Sequence, residues 1–226
     1  MRMKVQEAGK ALLFTMVAAL FSSPLVHSEE SLTVVTLAAG GAHTCAVISD
    51  GTVRCWGDNS KGGLGIGKIT QAFEKSVQVA DIHAARQIAA GLDFTCARLV
   101  DGTVRCWGNN QYGQRGDGTT NNTLLPVAVT GLHSATDVAA GFHHACALLK
   151  DGSVSCWGRN EHGQLGNATQ IDASIPVPVS GITTATAVLT GDDHSCALLQ
   201  AGTVRCWGGN DLGQLGNGTK TDAGVP

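Results

Sequence analysis

One unit is written four times. Cys-Trp-Gly recurs with its cysteine at Cys55, Cys106, Cys156 and Cys206, at spacings of 51, 50 and 50 residues. A second series, Cys45, Cys96, Cys146 and Cys196, keeps step ten residues upstream. All eight cysteines and all four tryptophans belong to the repeat. A period near fifty residues specifies a propeller or an array, because such a unit cannot bury its own apolar faces and has to stack on its neighbours.

Each unit starts with an extended stretch such as Thr136-Asp137-Val138-Ala139-Ala140, turns at Gly141, and continues as His144-Ala145-Cys146-Ala147-Leu148-Leu149. Next come the turn Lys150-Asp151-Gly152 and the strand Ser153-Val154-Ser155-Cys156-Trp157. A three-residue turn ending in a left-handed glycine sets the hairpin register. Counting outward from Ser49-Asp50-Gly51, Ile48 faces Thr52, Val47 faces Val53, Ala46 faces Arg54, and Cys45 faces Cys55. After the tryptophan each unit reads Gly-x-Asn-x-x-Gly and then a polar loop, and a final strand is expected to start at Pro126 and Pro176, with Pro226 at the same offset. Four short antiparallel strands in about fifty residues make a propeller blade. The expected fold class is therefore all-β, with about four blades of four antiparallel strands at residues 33–83, 84–133, 134–183 and 184–226, the last incomplete. Thirty glycines and only 15% charged residues exclude a helical bundle or a coiled coil.

Residues 1–28 read as a signal peptide. Arg2, Lys4 and Lys10 precede an apolar run from Ala11 to Phe21, and Val26-His27-Ser28 resembles a cleavage site. Eleven residues are too short to cross a hydrocarbon core of about 30 Å as a helix. Residues 29–226 are then exported to the periplasm, the cell surface or the medium, with no membrane association after cleavage. Cleavage takes the formal charge from −3 to −5. No basic footprint for nucleic acid or anionic lipid is expected on such a chain.

His-Thr-Cys-Ala-Val-Ile-Ser-Asp-Gly-Thr-Val-Arg-Cys-Trp-Gly, with the Gly-Gln-Leu-Gly that follows the tryptophan in later units, resembles the regulator of chromosome condensation repeat. The resemblance covers residues 33 to 226. It implies a seven-bladed β-propeller with about twice the repeats present here. It also implies two activities met in the family. A eukaryotic member exchanges guanine nucleotide on the small nuclear GTPase Ran, and a bacterial protein of the same fold inhibits β-lactamases through its rim. Neither follows from residues that build blades.

Thiols directly opposite on a hairpin lie within disulfide reach, and export favours oxidation. The expected pairs are Cys45–Cys55, Cys96–Cys106, Cys146–Cys156 and Cys196–Cys206. Buried free thiols are a second reading. A metal site is a third, since His43, His144 and His194 stand two residues before a cysteine, with Phe94 in that place in the second unit. The spacing matches no zinc pattern, so neither metal nor cofactor is expected. Gly62 to Ile69 nearly spells a phosphate-binding loop, but Ile69 lacks the hydroxyl that would hold Mg²⁺. Asp192, Asp193 and His194 are neighbours in sequence and point to different faces, so no catalytic group is assigned and the chain is not read as an enzyme.

Function is sought by subtracting the repeat. The loops joining strands one and two share a rim with those joining strands three and four. In the first loop the variable pair is Gly41-Ala42, Leu92-Asp93, Phe142-His143 and Asp192-Asp193; in the second the varying residue is Lys61, Tyr112, His162 and Leu212. Leu, Phe and Tyr interleaved with acids and His match a surface that contacts a protein or cell-surface ligand. The bland alternative is that nothing constrains these loops. The fourth unit stops where the others continue into a strand, so the chain is expected to be an arc cut from a longer ring.

Overall fold

The computed structural model describes residues 32–226. The expected signal peptide lies outside the described residues. The first blade is built from β1 (Val34–Ala39), β2 (His43–Ile48), β3 (Val53–Asp58) and β4 (Ala72–Gln78). The second contains β5 (Ala85–Ala90), β6 (Phe94–Leu99), β7 (Val104–Gly108) and β8 (Thr123–Ala128). The third contains β9 (Ala135–Ala140), β10 (His144–Leu149), β11 (Val154–Gly158) and β12 (Ala173–Pro178). The fourth contains β13 (Ala185–Thr190), β14 (His194–Leu199) and β15 (Val204–Gly208). Every sheet is an antiparallel meander in chain order. The innermost strands β1, β5, β9 and β13 touch in sequence, which places the four sheets side by side as propeller blades.

The hairpins take the register that the turns dictate. Val47 pairs with Val53, Ala46 with Arg54 and Cys45 with Cys55. The turn closes through Gly51 N to the Ile48 carbonyl at 2.8 Å, and Asp50 Oδ1 accepts from the Thr52 amide at 2.9 Å and its hydroxyl at 2.7 Å. These bonds hold the Asp50 carboxyl below its ordinary value. The cysteines of each hairpin are bonded to each other, with Cα atoms 4.1, 4.1, 4.0 and 4.1 Å apart from the first blade to the fourth.

The outer strand corrects one expectation. It begins at Thr123 and Ala173, three residues before Pro126 and Pro176. Its pairing slips between Cys106 and Gly108, and between Cys156 and Gly158, where three residues of the outer strand, ending in the proline, oppose one of its partner, so each proline sits within a bulge on an edge, where its missing N–H breaks no ladder bond. In the fourth blade the same pairing begins as a bridge between Gly208 and Ala223.

The core lies between blades. Strand alternation points successive side chains to opposite faces, and the Cys-Trp dipeptide uses this to serve two boundaries. Cys106 and Val104 join the cluster between the second and third blades, whereas Trp107 joins the one between the first and second. Cys156 and Trp157 divide in the same way, into the third and second boundaries. Each internal boundary thus carries a disulfide from the preceding blade and a tryptophan from the following one.

Candidate functional site

The rim is shaped by glycine. A Cβ on Gly40 would lie 2.4 Å from the Gly91 carbonyl oxygen, one on Gly91 2.5 Å from that of Gly141, and one on Gly141 2.4 Å from that of Gly191. Only glycine lets the inner strands approach this closely at the axis. The loops are then stitched by backbone bonds, Leu92 N to the Phe142 carbonyl at 3.2 Å and Phe142 N to the Asp192 carbonyl at 3.0 Å. Gly41, Leu92, Phe142 and Asp192 surround a cavity of about 250 Å³ where the inner strands converge.

Beside this mouth the two loop types meet across a blade boundary. Tyr112, from the loop after β7, lies 5.0 Å from the His143 ring, and Phe142 meets the same imidazole edge-on at 5.0 Å. The guanidinium of Arg159 sits 5.2 Å over the Tyr112 ring, pairs with Glu161, and reaches Asp193 at 3.9 Å. His143 is buried, and burial, reinforced by the Arg159 charge, pushes its imidazole below the usual value. His162 behaves oppositely. Its Nδ1 bonds to Asp222 at 2.8 Å, and this bond raises the imidazole above its ordinary value.

Of the rim residues selected by subtraction, Tyr112, Phe142, His143 and Asp193 come together, and Leu92 and Asp192 line the mouth beside them. His162 joins through Glu161 at 3.1 Å. Asp93 is half-buried, its carbonyl accepting from Asn109 N at 3.0 Å. Lys61 is exposed, and Leu212, 87% exposed, stands on the fourth blade apart from the cluster. Sequence reasoning missed Arg159, Glu161 and Asp222. Arg159 had a signal, being the x of Gly-x-Asn. There Asp58 and Asn109 cap their own loops, Asp58 Oδ2 accepting from Ser60 N at 3.1 Å and Asn109 Oδ1 from Gln111 N at 3.2 Å. An arginine has no acceptor for that turn, so its side chain is free to reach the neighbouring loop.

The histidines before the cysteines also have places. His43 Nε2 lies 2.8 Å from Thr95 Oγ1, and His144 Nε2 2.9 Å from Ser195 Oγ. Each hydroxyl donates onward to a carbonyl of the preceding blade, at Gly63 and Gln164 respectively. These imidazoles join blades. Gly62 to Ile69 opens no helix; it is the loop between β3 and β4, with Leu64 buried against the second blade.

The family model for the RCC1-like domain matches residues 13–226. The chain belongs to this family. Among curated RCC1-like relatives, the ultraviolet-B receptor UVR8 of Arabidopsis thaliana is 30% identical over 112 residues, which is 49% of this chain and 26% of that protein. The human probable E3 ubiquitin-protein ligase HERC3 is 34% identical over 94 residues, 41% of this chain and 9% of that protein. Among solved structures, human WBSCR16 superposes with a TM-score of 0.78 at 24% identity, covering 86% of this chain and 52% of that one. Yeast RCC1 (Prp20), solved with Kap60 bound, gives 0.77 at 22% identity, covering 87% and 48%. Prp20p is also described by its binding properties to Gsp1p and histones. The matches thus span 26% and 9% of these curated relatives and about half of the solved chains. At such identities the solved structures establish the RCC1-type propeller fold.

Proposed function

We propose that this RCC1-like chain is an exported binding module that engages a protein or cell-surface partner through the rim built on Tyr112, Phe142, His143 and Arg159. The observation that carries the reading is the stack itself, a cation over the Tyr112 ring and the Tyr112 and Phe142 rings both packed on the His143 imidazole at the edge of the cavity mouth. Tyrosine and arginine dominate binding energy at interfaces, because each covers a large area for few torsions lost. The family supports a binding or regulatory role. The acids around the stack, Glu161, Asp192 and Asp193, favour a partner with basic groups around an apolar spot.

Four disulfides fit an oxidising environment and therefore export. That favours an exported partner, such as an enzyme inhibited at the rim, over the cytosolic GTPase that nucleotide exchange requires.

The test is photo-crosslinking from position 142 in the exporting host, followed by titration of the captured partner. Tyr112→Ala and Arg159→Ala are each expected to weaken binding at least about tenfold, the loss of one interface anchor. Lys150→Ala, on a hairpin turn at the opposite rim, leaves it unchanged. Equal affinity for all three variants overturns the site.

A further inference from the structure

His162 stands between two carboxylates at the boundary of the third and fourth blades. It lies in the loop after β11, and Asp222, from the segment after β15, reaches its Nδ1 at 2.8 Å. Asp222 is itself held, its Oδ1 accepting from Asn210 N at 2.8 Å, as Asn122 and Asp172 accept from Asn110 and Asn160 in the two blades before. On the other edge of the ring, Nε2 lies 3.1 Å from Glu161 Oε1.

An imidazole carries hydrogens on both nitrogens only when it is protonated. The imidazolium therefore donates to Asp222 and Glu161 together. The neutral ring keeps the shorter bond, to Asp222, and turns a bare Nε2 lone pair towards the Glu161 carboxylate. Two acceptors then lie 3.1 Å apart with no hydrogen between them. Solvent reaches this gap, since the Glu161 side chain is 52% exposed and that of His162 30%. The other charges facing the ring are Asp193, from the loop between β13 and β14, and Arg159, which pairs with Glu161. Once His162 is neutral, three carboxylates surround a single guanidinium.

We infer that an ammonium or guanidinium of the rim partner takes the place of the proton between His162 Nε2 and Glu161 Oε1, so that partner and proton compete for one site. The inference rests on the reading of the rim as a surface for a basic partner, and adds where the partner's cation sits and what regulates it. Binding releases one proton to solvent. Affinity rises as pH passes upward through the midpoint of His162, which the Asp222 bond sets above the ordinary imidazole value. The partner in turn lowers that midpoint by the factor by which the proton weakens the partner. His143, beyond the Arg159–Tyr112 contact, titrates below the ordinary value and so in a separate range.

The experiment takes acetyl-arginine amide as the probe, and as its control acetyl-citrulline amide, which has nearly the same shape without the charge. Both are titrated into the full chain, disulfides formed, with the His162 ring followed by NMR from about pH 5.5 to 8.5 at fixed ionic strength. The arginine probe is expected to bind at least about fivefold tighter at the alkaline end and to lower the His162 midpoint by the matching amount. The citrulline control does not bind. His162→Gln removes the pH dependence. Asp222→Asn, which copies Asn122 and so keeps the loop, moves the midpoint of the free chain down and the binding curve with it. Equal affinity for the arginine probe across the range, equal binding of the two probes, no binding at any pH, or a pH dependence that survives His162→Gln overturns the inference. Each of these leaves the rim reading standing, because that reading fails only if Tyr112→Ala and Arg159→Ala leave the affinity of the captured partner unchanged.

Discussion

His144 Nε2 and Ser195 Oγ lie 2.9 Å apart across the boundary between the third and fourth blades, both fully buried. Ser195 donates to the Gln164 carbonyl at 3.0 Å, so the imidazole donates to the hydroxyl. At the corresponding place one boundary earlier, Phe94 and Ala145 replace the polar pair with an apolar one. The two positions change together because a buried imidazole without its acceptor, or a buried hydroxyl without its donor, is costly.

Ser195→Ala alone is therefore expected to destabilise the fold by about 1–3 kcal/mol, since His144 loses its partner in the core. His144→Phe combined with Ser195→Ala, which copies the Phe94–Ala145 pair, recovers most of that loss. Chemical denaturation of the single and double variants gives the coupling. Strict additivity would show that the two side chains act independently.

Gly166 and Gly181 have the same backbone conformation, with φ of +67° and +70°, but different surroundings. Alanine at either residue costs about 1 kcal/mol for the left-handed conformation. At Gly166 the new methyl would also press on Trp207 Nε1 from 2.7 Å, whereas at Gly181 it meets nothing within 4 Å. Gly166→Ala is expected to lose a further 1–3 kcal/mol or so as the indole is displaced. Equal losses in thermal melts would mean that the packing around Trp207 yields freely.

Peptide mapping without reduction is expected to find four intra-hairpin bridges, each closing cysteines ten residues apart. Replacing Cys146 and Cys156 together by alanine should cost about 2–4 kcal/mol, from the freedom returned to the unfolded chain and the core volume lost. Bridges between different blades, or eight free thiols, would contradict the pairing.

The two kinds of histidine give opposite pH dependence. Burial lowers the His144 imidazole from 6.5 to about 3, so its contribution to stability is present above pH 6.5 and lost progressively as pH falls towards 3. The Asp222 hydrogen bond raises His162, so its contribution is complete below the ordinary imidazole value and is lost as pH rises above it. In melts against pH, His144→Phe should flatten the acid limb and His162→Gln the alkaline one. A wild-type alkaline limb unchanged by His162→Gln would remove the Asp222 bond from the account.

Much of a blade was legible in the chain. The Cys45–Cys55 register follows from a three-residue turn and strict alternation, both local, and the rim loops stood out because they differ where the units otherwise agree. The outer strand was misplaced at Pro126 because the bulge that contains this proline is a property of two strands together. Arg159 was overlooked because its neighbour Tyr112 lies in another blade.

By itself the sequence determined the blade, its turns, the register that sets its cysteines opposite one another and its family resemblance, since contacts within a hairpin are settled by residues only a few positions apart. Only the tertiary structure decided what the blades do to one another. Gly-Gln-Leu-Gly and Cys-Trp-Gly stand in the same unit, yet Gly166 serves Trp207 of the next blade and leaves Trp157 to Gly116 of the one before. That assignment, the histidine–hydroxyl pairs and the Tyr112–His143 stack rest on contacts some thirty to fifty residues apart. They come into being when alternation turns two faces of each strand towards two different neighbours, and that is a fact of packing.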